Sequence, residues 1–205
     1  MAHRWLWLAA ASLPIALLAG PANAVAWEAG ADDPQAPPAW AVGVAFAAWW
    51  LEGSDMDLGL AYRVFGVVHA ASLALVALTV HAVGQRLGSA RPRRSFAVAS
   101  WSLRVGGLAM LSAYATNGYG WLLDLGSLLA AAVATVAVGC VLLRQGDRVL
   151  GSTLAAGTVL ALGFSLYWML GYVPGFVALA LALVWATAGV VMARRRDGGA
   201  AQRNA

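Results

Sequence analysis

Long apolar runs separated by short polar breaks set the frame of this sequence. The runs are Leu58–Gly84, Ser95–Thr116, Trp121–Leu143, Val149–Leu170 and Phe176–Ala193. Each is long enough to cross a bilayer as a helix. The first, about 40 Å long, needs tilt or projects beyond the hydrocarbon. The breaks are turn-like. Asn117-Gly118-Tyr119-Gly120 and Gly171-Tyr172-Val173-Pro174-Gly175 carry no charge, and Pro174 suits the first turn of a following helix. The expectation is an all-α, polytopic transmembrane helix bundle of five long spans over residues 58–193, followed by a tail over 194–205. Asp197–Ala205 is polar and small, and is expected to be disordered.

The chain before Leu58 follows other rules. Arg4, the apolar run Trp5–Ala19, the break Gly20-Pro21 and the small-residue site Ala22-Asn23-Ala24 resemble a signal peptide over residues 1–24. An uncleaved first transmembrane segment reaching Trp27 is the competing reading. Both send residue 25 to the outer side. Residues 25–57 are acidic and Pro-rich, as an extracytoplasmic loop would be. Within them Ala39–Leu51 is apolar and holds Trp40, Trp49 and Trp50. At about 20 Å it is too short to span, and its tryptophans suit a helix lying in the interface.

Composition agrees with the pattern. Of the 205 residues 61% are hydrophobic and 11% charged, against roughly a quarter charged in soluble domains. The net charge of +4 does not argue for nucleic acid. Every cation is Arg, and most sit at the ends of apolar runs, where they orient helices. The loop Gln85–Arg94 carries Arg86, Arg91, Arg93 and Arg94, and pins that end to the cytoplasm. Arg144, Arg148 and Arg194-Arg195-Arg196 then fall on the same side, while Glu28, Asp32, Asp33, Glu52, Asp55 and Asp57 fall outside. The expected location is the cell membrane, multi-pass, with a cytoplasmic C-terminus. The absence of Lys and the heavy use of Ala, Gly, Val and Arg suggest a GC-rich bacterial genome. The single cysteine, Cys140, reads as a packing residue.

Small residues recur four apart at Gly126, Ala130 and Ala134, at Thr135 and Gly139, and at Gly157 and Ala161. Gly106-Gly107 lies mid-span. Such spacing lets backbones approach closely, without naming partners.

Intramembrane polar residues are the candidates for chemistry. Arg104 lies near the middle of its run, where a charge is costly and faces protein or water. His69 is expected at similar depth on the preceding helix, with Tyr62 and Gly66 on its stripe. Ser100, Arg104 and Gly107 form the facing stripe. A polar cavity between the two helices is one expectation; a hydrogen-bonded interhelical His69 is the other. Arg63 and Asp124 lie near the outer ends of their runs and either pair or leave Asp124 facing water at a helix N-terminus. Tyr114 and Asn117 add polar tips at that level. No metal, cofactor or catalytic constellation is read. His69 and His81 are about 18 Å apart along one helix, and there is no HExxH and no phosphate loop ending in Lys.

These features point first to a non-catalytic accessory, assembly or scaffold subunit. Its partners would be the lipid bilayer and other membrane subunits or copies of itself. The alternative is a small carrier or ligand-binding protein with an outward-facing cavity around Arg63, His69, Arg104 and Asp124. There Arg104 would hold an anionic small molecule or lipid headgroup. An outer-leaflet enzyme using Glu52, Asp55 or Asp57 is the weakest reading, because clustered loop acids are ordinarily just solvated.

Overall fold

The structure, a computed structural model, describes residues 58–87, 93–113, 119–168 and 173–201. Its regular structure is all α-helical: α1 (Leu58–Arg86), α2 (Arg93–Ala113), α3 (Tyr119–Arg144), α4 (Arg148–Trp168) and α5 (Val173–Ala201). Among the described residues three helices are long and apolar enough to cross a membrane, over Gly66–Gln85, Arg93–Ala113 and Gly120–Arg144. The last two helices contribute shorter apolar stretches, Arg148–Phe164 and Val177–Met192. The N-terminal segment, the acidic loop and the helix expected over 39–51 lie outside the described residues, as do Tyr114 and Asn117.

Each helix packs on the next, and α5 returns to touch both α1 and α3. Leu73, Leu103, Leu128, Leu154, Leu181 and Trp185 fill the centre and are inaccessible to solvent. Trp185 of α5 ties three helices together. Its Nε1 donates to Thr135 Oγ1 of α3 at 3.2 Å, and its ring lies 5.9 Å from that of Phe96 on α2. Several other hydroxyls are spent within their own helices. Thr79, Thr135 and Thr158 donate to the carbonyls of Leu75, Ala131 and Leu154, and Ser72 donates to that of His69. This suits an apolar surrounding, where an unsatisfied polar group costs several kcal/mol by the usual order of magnitude. The outward faces carry Trp101, Leu108, Val133, Leu160 and Phe164, all exposed.

The sharpest corner joins α3 to α4. Gly146 takes φ of 86°, its N–H donates to Leu143 O at 3.0 Å, and the Asp147 N–H donates to Leu142 O at 3.0 Å. This closes α3 with a left-handed glycine cap. Asp147 Oδ1 then accepts from the Leu150 N–H at 3.2 Å, capping the start of α4. Above the corner the two backbones nearly touch. A Cβ at Gly139 would run into the Ala155 backbone nitrogen, and one at Gly151 would lie 2.8 Å from Leu143 N.

The small-residue spacing divides on inspection. The Thr135 and Gly139 pair lies on a tight seam, whereas Gly126 is exposed with no neighbour within 4 Å of its would-be Cβ. The C-terminal tail also differs from expectation. α5 runs on through Arg194–Arg196 to Ala201 with no proline to stop it, although Asp197, Gly198 and Gly199 are weak helix formers.

Candidate functional site

The polar centre of the bundle is a contact between α1 and α3 made across α2. His69 Nε2 lies 3.3 Å from Asp124 Oδ2, and the two side chains are 1% and 0% exposed. The contact holds one proton between ring nitrogen and carboxyl oxygen; which atom carries it depends on the tautomer. Among the described residues no hydrogen-bond partner meets Asp124 Oδ1.

Three local features bring the pair together. Measured along their helices, His69 lies about 26 Å from Arg86 and Asp124 about 30 Å from Arg144, so the two sit at similar height above the arginine-bearing end. Both α1 and α3 pack along α2 and have little direct backbone approach of their own. The gap between them is open because α2 presents glycine there. A Cβ at Gly106 would stand 2.9 Å from Asp124 Oδ1, and one at Gly107 would stand 3.2 Å from Ala70 O. Gly107 thus lets α2 close on α1, and Gly106 leaves the space that the carboxyl group occupies.

This differs from both expectations for Asp124. It neither meets Arg63 nor faces water. Arg63 is exposed, and Asp124 is enclosed one turn inside the start of α3, turned toward α1. Of the two expectations for His69, the hydrogen-bonded interhelical residue is the one that forms, and the cavity shared with Arg104 is not. Ser100 Oγ donates to Ala77 O at 3.1 Å, which fixes the register of α2 on α1. With Gly107 against Ala70, that register sets Arg104 within about two turns of His69. Their side chains diverge, however. His69 turns inward to α3. Arg104 is half-buried on the outer side of the α1–α2 seam, its guanidinium 5.1 Å from the centre of the Trp101 ring. The physical reason is direction: a helical side chain leans toward its own N-terminus, so Arg104 leans toward the arginine-bearing end and away from His69.

Arg104 lines two cavities on that seam, and neither includes His69. One, of about 460 Å³, also takes in His81, Gln85 and Arg93; the other, of about 500 Å³, takes in Val67, Ala74 and Leu111. Tyr62 belongs to α1, about one turn from its start. The sequence reading missed Trp185 with Thr135, and it missed the pairing of His69 with Asp124. The second was available in principle from helix heights measured from the arginine ends together with the glycine pair of α2.

In chemical terms, the pair can brace three helices and hold a proton between two of them. No three side chains of His, Cys, Asp or Glu converge among the described residues. Set against known protein families, curated proteins and solved structures, the chain matches none of them.

Proposed function

We propose that this chain is a multi-pass protein of the cell membrane that acts as a non-catalytic accessory or scaffold subunit, its arginine-rich end in the cytoplasm. Its five helices all cross the bilayer, residues 1–24 form a signal peptide or first span, and residues 39–51 lie in the interface. The observation that carries this reading is that His69 Nε2 and Asp124 Oδ2 meet at 3.3 Å, enclosed between three helices, which supports a brace within the bundle. A carrier would need a path from the surface to that pair, and at 1% and 0% exposure the pair supports a brace instead. Apolar outward faces and tight seams further support a body that packs among lipid and other helices.

Two measurements test the reading. Chromosomal tagging and native electrophoresis of mildly extracted membranes are expected to find the chain in one larger species of fixed composition. A chain that runs alone, and that takes up a radiolabelled anion when reconstituted in vesicles, would overturn the accessory role in favour of a carrier. Topology is tested separately with Ala90→Cys in a Cys140→Ser background. Position 90 is expected to resist a membrane-impermeant maleimide in intact cells and to react after lysis; labelling of intact cells would reverse the orientation.

A further inference from the structure

The outer side of the α1–α2 seam carries two joined cavities of opposite character. The cavity nearer the arginine-bearing end, about 460 Å³, is lined by Arg93, Arg104, His81 and Gln85, with Ser100 and Trp101 beside them. None of the described lining residues is acidic. The Ser100 hydroxyl is already spent on Ala77 O, so the donors left to face an incoming group are two guanidiniums, an imidazole and an amide. The second cavity, about 500 Å³, is apolar, with Val67, Ala70, Ala74, Leu108 and Leu111 along its walls. Trp101 and Arg104 line both, so the cavities meet at those two side chains.

We propose that this seam binds one anionic phospholipid, with the phosphate held by Arg93 and Arg104 and an acyl chain laid along the groove between Val67 and Leu111. The chemistry follows from the lining. Guanidinium forks match phosphate oxygens in charge and geometry. Basic pockets between membrane helices on the side bearing arginine are where anionic headgroups settle. A free anion would use only the basic cavity and leave the apolar one unexplained. A neutral lipid would use only the apolar one and leave Arg104 half-buried with no counter-charge. An anionic lipid uses both at once. The axial rise from Arg93 to Arg104 is about 16 Å, and that from Arg104 to Leu111 about 10 Å. The two arginines are eleven residues apart and so share one face of α2; both line the basic cavity, Arg93 at the end nearer the arginine loop and Arg104 at the end nearer the apolar groove, while Trp101 flanks the start of the chain. This inference rests on the chain lying in a bilayer, and not on the accessory role.

The test uses the full chain, extracted in a mild nonionic detergent, stripped of lipid and examined by native mass spectrometry. The probes are phosphatidylglycerol, phosphatidylcholine and glycerol 3-phosphate. Phosphatidylglycerol is expected to bind about tenfold tighter than phosphatidylcholine, and Arg93→Gln or Arg104→Gln to remove about that factor. Ala74→Phe, which fills the apolar groove from an exposed position and leaves both arginines, is expected to weaken phosphatidylglycerol as well. Equal retention of the two lipids overturns the proposal. So does glycerol 3-phosphate binding as tightly as phosphatidylglycerol with no effect of Ala74→Phe, which would mark a free-anion site. Should Arg104→Gln fail to fold, Arg93→Gln carries the charge arm alone, since Arg93 is exposed. A chain recovered without detergent would sink the membrane reading itself, an outcome distinct from loss of lipid selectivity.

Discussion

The α1–α2 pair meets its embedded charges in two ways. On its inner side His69 reaches past the glycines of α2 to Asp124 and is sealed at 1% exposure. On its outer side Arg104 has no such partner within the bundle; it lies over Trp101, half-buried, at the junction of two open cavities. The first arrangement pairs His69 with one carboxyl oxygen inside the protein, leaves Asp124 Oδ1 without a partner among the described residues, and makes the fold depend on the pair. The second leaves a charge to be satisfied from outside, so the fold depends on it little and the surroundings a great deal. Both cost free energy in a low-dielectric setting; they differ in where the compensation comes from.

Breaking the inner pair is expected to have the largest effect. His69→Leu or Asp124→Leu leaves one polar group buried alone, and a loss of about 3–5 kcal/mol in unfolding free energy follows by the usual scale for such a break. The combination of His69→Leu with Asp124→Ala removes both polar groups and is expected to recover most of that loss. Unfolding in mixed detergent micelles, followed by tryptophan fluorescence, reads the cycle. A double variant no better than either single one would mean that packing, and not polarity, sets the cost.

Next comes the space the pair occupies. Gly106→Ala would set a methyl group 2.9 Å from Asp124 Oδ1, tighter than real contacts allow. The carboxyl group cannot swing away freely because its other oxygen is engaged by His69. A loss of about 1–3 kcal/mol is expected, as for overpacking elsewhere. Asp124→Ala removes the atom in question, so the two substitutions should couple and their combined cost should fall below the sum. Strict additivity in the same unfolding assay would place the strain somewhere other than this contact.

How far the sequence alone reaches can be judged on these same residues. Helix positions followed from the apolar runs, because run length and the Gly, Pro, Asn and Arg breaks act locally; Gly146 and Asp147 mark the α3–α4 corner by their own backbone chemistry. Pairing did not follow. Which side of α2 a residue faces depends on helix rotation, and a run apolar on all sides carries no stripe to fix it. Hence depth and stripe spacing place Arg104 beside His69, although one faces the seam and the other the interior. The same blindness hid Trp185, one of ten tryptophans in the chain and distinguishable only once Thr135 and Phe96 are seen around it. The end of α5 differs for another reason: Asp197-Gly198-Gly199 is a break by composition and by propensity, yet the helix continues to Ala201.

The Trp185–Thr135 contact supplies a neutral reference for the inner pair. Thr135→Val keeps the shape and removes the acceptor, leaving the indole N–H buried without a partner. About 1–2 kcal/mol should be lost, the common cost of one stranded neutral donor. Since Thr135 lies about 16 Å along α3 from Asp124, which Gly106 abuts, and shares no recorded partner with it among the described residues, its effect should add to that of Gly106→Ala. A cost for Thr135→Val as large as that for breaking His69–Asp124 would erase the distinction between a charge-capable brace and an ordinary hydrogen bond.

The smallest effect on folding is expected at Arg104, and it is the one that most sharpens the comparison. Arg104→Leu removes a half-buried guanidinium whose recorded contact is the face of Trp101. In neutral detergent the change should stay within about 0.5 kcal/mol, because the leucine replaces a desolvated charge with side-chain bulk the membrane prefers. Anionic lipid should then separate the two proteins. A ligand that binds only the folded chain raises its stability in proportion to the logarithm of ligand over dissociation constant, about 2.7 kcal/mol at a hundredfold excess. The unsubstituted chain should therefore gain stability as phosphatidylglycerol is titrated in, and Arg104→Leu should gain little. A large loss in neutral detergent would instead mean that Arg104 has a partner inside the bundle, and the outer side of α2 would then be governed by the same rule as the inner.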